Sequence, residues 1–183
     1  MPNLRNVEKF HIMKRQIPSI ILSRTQKHEI IHGQQAVNAQ ISHHLHKQTT
    51  DYDIFTRTPK KDARETERAL DKRFGFDAFK VEEGKHSGTW KVKSKVNGET
   101  YADYTKPEKK IKTSNKFGKT YASLDYFKKH IKKTLRDPEA KFRHPKDKDT
   151  YNRIRIHENK FSFPKLKVGN FFKNKTNTRR IKL

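Results

Sequence analysis

Thr50-Asp51-Tyr52-Asp53-Ile54-Phe55 is the stretch that decides the fold, because it places two carboxylates on a short apolar run, separated by one residue. Successive side chains of a strand point to opposite faces, so Asp51 and Asp53 are expected on the same face. Two neighbouring carboxylates repel each other unless a positive charge lies between them. Oxygen ligands of this kind suit Mg²⁺, so the stretch predicts a metal site.

A third carboxylate, Asp103, lies in a second strand-like run at residues 99–104. Three carboxylates on neighbouring strands can hold two divalent ions roughly 4 Å apart, an arrangement that supports in-line phosphoryl transfer. Asp51, Asp53 and Asp103 are therefore the candidate metal ligands and catalytic residues.

The charge of the chain indicates its partner. Its 183 residues suit one domain, or one domain with an appendage, and 44 Lys and Arg stand against 20 Asp and Glu, a net charge of +24. A fold does not need such an excess, which is typical of a protein that binds RNA or DNA. Only 31% of the residues are apolar, so a modest core is expected. The absence of cysteine excludes disulfides and thiolate metal sites.

No membrane partner is expected. The apolar run at residues 17–22 contains Pro18 and Ser19 and is too short to span a bilayer or to serve as a secretory signal. We therefore expect a soluble protein in the cytoplasm or elsewhere inside the cell.

Residue patterns predict an α+β fold: a small mixed sheet with flanking helices, followed by C-terminal helices and a basic tail. The clearest predicted helix has Thr58 as its N-cap, Pro59 in its first turn and Gly75 at its end. Other helices are predicted at 3–16, 34–46, 122–136 and 145–160, strands at 28–33, 51–55, 76–81, 89–96 and 100–105, and a basic linker at 108–116. These elements divide into an N-terminal helical extension (1–26), a core (27–107), a helical C-terminal part (108–160) and a basic tail (161–183).

The order of motifs carries a family resemblance. A strand ending at Gly33 is followed by a helix, then Asp51-Tyr52-Asp53-Ile54-Phe55, then a late acid, Asp103. This order resembles the polymerase-beta-like nucleotidyltransferase superfamily, which includes poly(A) polymerases, CCA-adding enzymes and minimal nucleotidyltransferases. The resemblance covers about residues 28–155. Its further matched positions are Ala36, Asn38, His86-Ser87-Gly88-Thr89 and Asp103-Tyr104-Thr105-Lys106-Pro107.

The resemblance implies a nucleotidyltransferase core that uses an NTP with Mg²⁺ or Mn²⁺ and transfers NMP to a hydroxyl, most simply on RNA. Gly33 would let the backbone approach the triphosphate, and Gln34 and His86 would contact the nucleotide. His86 is equally well interpreted as a turn residue before Ser87-Gly88. Gln34 departs from the family pattern, which has a tiny residue there, so its side chain could crowd the phosphates or donate to them.

The C-terminal tail, from residue 161, is rich in Lys and Arg and lacks acids. Such a segment predicts phosphate contacts without sequence preference, and it could also mediate protein assembly. The candidate nucleic-acid-binding residues are Lys165, Lys167, Lys173, Lys175, Arg179 and Arg180.

Two other functions remain open. The fold could be retained without catalysis, in a basic structural or nucleic-acid-binding component of a ribonucleoprotein or a virion; Gln34 and the charge favour this alternative, whereas the three acids favour the enzyme. A third hypothesis is a toxin-like nucleotidyltransferase that modifies tRNA or a protein hydroxyl.

Overall fold

A seven-stranded mixed sheet forms the centre of the protein, whose computed structural model describes residues 3–161. The strand order is β3-β4-β5-β2-β1-β7-β6. β2 pairs in parallel with β5, and β1 with β7, whereas the other neighbours are antiparallel. The strands are β1 (Ile30–His32), β2 (Tyr52–Phe55), β3 (Phe79–Glu83), β4 (Thr89–Ser94), β5 (Thr100–Thr105), β6 (Thr113–Lys116) and β7 (Lys119–Ala122).

Six α-helices in the described part of the chain flank this sheet. α4 packs against β3, β4 and β5, and α1 and α2 pack on α4. This arrangement confirms the predicted fold class, a mixed sheet with flanking and C-terminal helices. The helices are α1 (Leu4–Met13), α2 (Ile17–Arg24), α3 (Gly33–Asn38), α4 (Pro59–Phe74), α5 (Leu124–Thr134) and α6 (His144–Phe161).

An aromatic cluster fills the core between the sheet and α1 and α4. Phe10, Phe74 and Phe79 are fully buried, with ring centroids 5.3–5.9 Å apart, and Tyr101 lies against their edge. Burying each ring stabilises the fold by roughly 1.5–3 kcal/mol. The cluster therefore fixes the helical layer on one face of the sheet.

The side chains of β5 alternate between two environments. Tyr104 is buried and shares a hydrogen bond of 2.7 Å with the Thr66 hydroxyl of α4, so its side chain points to the helical layer. The adjacent Asp103 must point to the opposite face of the sheet, because strand side chains alternate. The carboxylates and α4 thus lie on opposite faces.

α4 begins and ends as predicted, but its N-cap differs. Pro59 lies in the first turn, and Gly75 terminates the helix with a φ of +74°, in the left-handed region that favours glycine. Thr58 makes no capping hydrogen bond to the backbone. Its hydroxyl instead donates to Asp62 at 2.9 Å.

Several predicted boundaries were wrong. The helix predicted at 3–16 ends at Met13, and Pro18 lies in the first turn of α2, where its missing N–H costs nothing. The helix predicted at 34–46 stops at Asn38. The segment predicted as a basic linker, 108–116, contains β6, and β7 pairs with β1, so the sheet continues past the boundary predicted between residues 107 and 108.

The two C-terminal helices were correctly predicted, and they contact each other. Lys128 of α5 pairs with Glu158 of α6 at 2.6 Å, and the hydroxyl-bearing Ser123 caps α5 through the N–H of Tyr126. Within residues 3–161, no helix has the length and apolar character that crossing a membrane requires. The predicted basic tail lies outside the described residues, apart from Phe161 at the end of α6.

Candidate active site

Four side chains form a row across four adjacent strands. His32 on β1 lies opposite Asp53 on β2, Asp53 lies beside Asp103 on β5, and Asp103 lies opposite Lys91 on β4. Partners in register share a face of the sheet. The row therefore places two of the three predicted carboxylates next to each other, between a histidine and a lysine.

The third predicted carboxylate joins them from the start of β2. Asp51 immediately precedes β2 and lies two residues before Asp53, which puts both on one side of an extended chain. Its carboxylate accepts a hydrogen bond from the Thr49 hydroxyl. Asp51 is close enough to raise the pKa of Asp53 electrostatically. All three acids proposed from the sequence are thus brought together.

Asp53 lies at the centre of this negative charge. Burial raises its pKa to about 7, and the neighbouring Asp51 and Asp103 carboxylates add to the rise. Lys146 of α6 and Lys91 oppose it. The site thus disfavours three negative charges and would be stabilised by an added cation.

Lys91 supplies a positive charge that the sequence interpretation missed. Its ammonium lies 2.6 Å from Oδ2 of Asp103, and the two side chains are 29% and 19% exposed. The other oxygen of Asp103, Oδ1, is buried and accepts no hydrogen bond within the described chain. One oxygen of this carboxylate is therefore neutralised, and the other is buried without a hydrogen-bond donor in the described chain.

The donor set suits a hard divalent cation, although the side chains are not arranged around one. Carboxylate oxygens are the ligands that Mg²⁺ and Mn²⁺ prefer, and the unpartnered Oδ1 of Asp103 together with the raised pKa of Asp53 indicates a missing positive charge. In residues 3–161, however, no three His, Asp or Glu side chains converge as a ready metal site. A cation at this site would have to compete with Lys91 for Asp103.

Gly33 leaves room for Asp53. It begins α3 with a φ of +64°, and a β-carbon placed on it would overlap Oδ2 of Asp53 and lie 2.7 Å from Cγ. Any other residue would push the carboxylate aside. The glycine expected from the sequence is thus required by its position against the central acid.

His32 is held as a neutral ring next to the carboxylates. Its imidazole stacks on Phe55 with centroids 3.7 Å apart, and its Nε2 is buried with no hydrogen-bond partner in the described chain. Burial lowers the pKa of His32 to about 3. His32 therefore contributes no positive charge to the site at neutral pH.

Gln34 connects two helices. Its Nε2 donates to Asn38 at 2.6 Å, and its Oε1 accepts from Arg153 of α6 at 3.0 Å. Arg153, which is 11% exposed, also pairs with Asp149 at 3.1 Å. Both ends of the Gln34 amide are engaged in these contacts, which gives a structural reason for a long side chain where the family pattern has a tiny one.

The remaining predicted residues lie apart from the row or outside the structure. His86 is exposed in the turn between β3 and β4, where its carbonyl accepts from Thr89 N at 3.1 Å. The six basic tail positions lie outside the described residues: Lys165, Lys167, Lys173, Lys175, Arg179 and Arg180.

Comparison with known proteins identifies the architecture. No family model matches the chain, and no curated protein sequence matches it. The solved structure of the Megavirus polyadenylate synthase superimposes with a TM-score of 0.65 and 21% identity, over 80% of this chain and 32% of that enzyme. The chain thus spans about a third of the enzyme's length. At this identity the similarity shows the fold, which is nucleotidyltransferase-like.

Proposed function

We propose that this chain is a minimal nucleotidyltransferase core, similar to that of poly(A) polymerases, which transfers a nucleoside monophosphate from an NTP to a hydroxyl of RNA. The observation that carries the proposal is the side-by-side placement of Asp53 and Asp103 on parallel strands, with Asp51 just before β2. The similarity to a polyadenylate synthase supports this reaction class.

In the proposed reaction Asp51, Asp53 and Asp103 would hold Mg²⁺ or Mn²⁺. Such an ion, when bound, would neutralise phosphate charge and make the attacking hydroxyl more acidic. Asp103 takes the proton of that hydroxyl, and the hydroxyl oxygen forms a bond to the α-phosphorus. The bond to pyrophosphate breaks on the opposite side, and pyrophosphate leaves.

Other residues of the site position charge. Gly33 leaves room for the Asp53 carboxylate and so allows it to lie beside Asp103. Lys91 and Lys146, whose charges reach Asp53, balance the negative charge that develops on the phosphates. We propose His86 as a further nucleotide contact and the basic tail residues as contacts to the RNA acceptor.

A second function is favoured by one specific contact. The 2.6 Å pair between Lys91 and Asp103 already neutralises the third carboxylate, as expected if the site no longer binds metal. In that case the protein keeps the nucleotidyltransferase fold and acts as a basic RNA-binding component of a ribonucleoprotein or a virion.

Transfer of labelled nucleotide distinguishes the two functions. The purified chain is incubated with each α-³²P NTP, Mg²⁺ or Mn²⁺ and total RNA, beside Asp53→Asn and a matched control, Asp77→Asn. Asp77 is an exposed acid paired with Lys95 near β3, so Asp77→Asn makes the same chemical change without touching the row.

The enzyme predicts label on RNA with the wild type and with Asp77→Asn, and a loss of at least about 100-fold with Asp53→Asn. If none of the three proteins labels RNA or protein, while all bind RNA with equal affinity, the enzymatic function is wrong and the binding function is supported.

A further inference from the structure

A groove on the sheet face opposite the carboxylates combines an aromatic ring with lysines. It has a volume of about 330 Å³ and is lined by the start of α4, the Gly88 turn, Trp90 and Lys106. The Lys60 ammonium lies 4.5 Å from the centroid of the Trp90 ring. Trp90 is half-buried and its ring forms the floor of the groove, while the Lys60 ammonium lies over this ring.

The basic surface continues along α4. A second hollow adjoins the first through Lys60 and Lys61 and is bordered by Arg64 and Arg68. Glu65 also lines it but is paired with Arg24 at 2.7 Å. Residues three or four positions apart lie on one helix face, so these cations form a stripe.

Most cations of the groove and stripe have no acid partner; the exception is Lys61, whose ammonium lies 4.0 Å from the Glu65 carboxylate. Asp62 accepts from the hydroxyls of Thr56 and Thr58, and Asp71 accepts from backbone N–H groups at the start of β3. Within residues 3–161, no carboxylate lies within ion-pair distance of the following side chains: Arg57, Lys60, Arg64, Arg68 and Lys106.

We propose that this groove and stripe bind single-stranded RNA, with a nucleobase stacked on Trp90 and the phosphates on the α4 cations. Unpaired cations without matching acids suit a polyanion, and an accessible aromatic floor suits unstacked bases rather than a duplex or an acidic protein segment. The incoming base replaces the Lys60 ammonium over the ring, and that ammonium moves to a phosphate.

The groove lies close enough to the carboxylates to hold an acceptor strand. Lys106 follows Asp103 by three residues, roughly 10 Å along an extended chain. The strand would pass around the ends of β4 and β5, where Thr89 and Thr105 share a hydrogen bond of 3.1 Å. This role as acceptor site rests on the proposed function, whereas RNA binding itself does not.

Trp90 is the sole tryptophan of the chain, so its fluorescence reports on the groove directly. The full chain is titrated with an adenylate dodecamer, with polyglutamate of matched charge and with ATP alone. We expect the dodecamer to quench the fluorescence at concentrations at which polyglutamate and ATP leave it unchanged. An equal response to polyglutamate, a response to ATP at the same concentration, or no response to RNA would overturn the proposal.

Charge reversal tests the stripe without disturbing the core. Arg64→Glu/Arg68→Glu is compared with Lys129→Glu/Lys133→Glu, an exposed pair at the same spacing on α5. Affinity for single-stranded RNA falls as salt rises, and the loss of two phosphate contacts should make this fall less steep. The magnitude of the slope of log affinity against log salt concentration should decrease by about 1.4 in the α4 variant only. Equal salt dependence in the two variants would contradict phosphate binding by the stripe.

The two proposals can fail separately. Quenching by RNA without nucleotide transfer would retain the binding site and refute the enzyme. Transfer that depends on Asp53, without quenching, would retain the enzyme and refute the site.

Discussion

Lys91 lies directly opposite Asp103 across β4 and β5, and its ammonium is 2.6 Å from the carboxylate. Without Lys91, three carboxylates would face one another with only Lys146 nearby. Lys91→Met should therefore lower the free energy of unfolding by about 1–3 kcal/mol in a metal-free buffer. Chemical denaturation measures this loss.

A matched lysine serves as control for this prediction. Lys95 pairs with Asp77 at the same distance of 2.6 Å, but Asp77 is 74% exposed, so Lys95→Met should cost less than about 1 kcal/mol. If the carboxylates bind Mg²⁺, added Mg²⁺ should stabilise Lys91→Met more than the wild type. Equal losses for the two lysine variants would show that burial around Lys91 has no energetic effect.

The position of Lys91 could not be read from the sequence, because it depends on a β-bulge. Next to the turn, Lys93 pairs with Thr100, a register that would continue to place Trp90 opposite Asp103. The register shifts by one residue between Val92 and Lys93, and this shift brings Lys91 opposite Asp103 instead. The three acids and Gly33 were predictable because local spacing fixes their face, whereas a bulge depends on packing that spacing does not encode.

Long-range pairing explains the other errors. The basic composition of residues 108–116 favours a linker. However, β7 pairs with β1, and β6, which begins in this segment, pairs with β7. Likewise, the contact between Gln34 and Arg153 joins residues 119 positions apart. Tertiary pairing of this kind overrides local propensity.

The pH dependence of stability should report on Asp53. Its pKa rises from 3.8 to about 7 on folding, so the folded state retains a proton that the unfolded chain releases. Stability conferred by this group is therefore present below pH 4 and lost between pH 4 and 7, by roughly 4 kcal/mol at most.

Asp53→Asn removes this loss. Below pH 4 the variant should be as stable as the wild type. Between pH 4 and 7 its free energy of unfolding should increasingly exceed that of the wild type, and above pH 7 the difference should stay constant. Other carboxyls with raised pKa, such as Glu29 and Asp71, affect both proteins alike and cancel in the difference. Thermal unfolding of both proteins from pH 3.5 to 8.5 provides the measurement. A stability difference between variant and wild type that does not change with pH would contradict a raised pKa of Asp53.

Gln34 should stabilise the packing of α6 on α3. Gln34→Ala removes its hydrogen bonds to Asn38 and Arg153, so we expect a loss of about 1–2 kcal/mol and faster hydrogen exchange in α6. Gln35→Ala is the control, because Gln35 makes one longer hydrogen bond, 3.3 Å to the Thr49 carbonyl. If α6 exchanges equally fast in both variants, Gln34 does not fasten the helix.

The space between Gly33 and Asp53 can be tested with two alanines. Gly33 and Gly98 both have positive φ, +64° and +72°, but a β-carbon meets Asp53 only at Gly33 and open space at Gly98. Gly98→Ala should cost about 1–2 kcal/mol for its backbone conformation alone. Gly33→Ala should cost at least about 2 kcal/mol more, since the carboxylate must move. In an Asp53→Ala background that extra cost should largely disappear, and a double-mutant cycle of unfolding free energies measures it. An undiminished cost in that background would mean that the strain at Gly33 arises from the backbone rather than from Asp53.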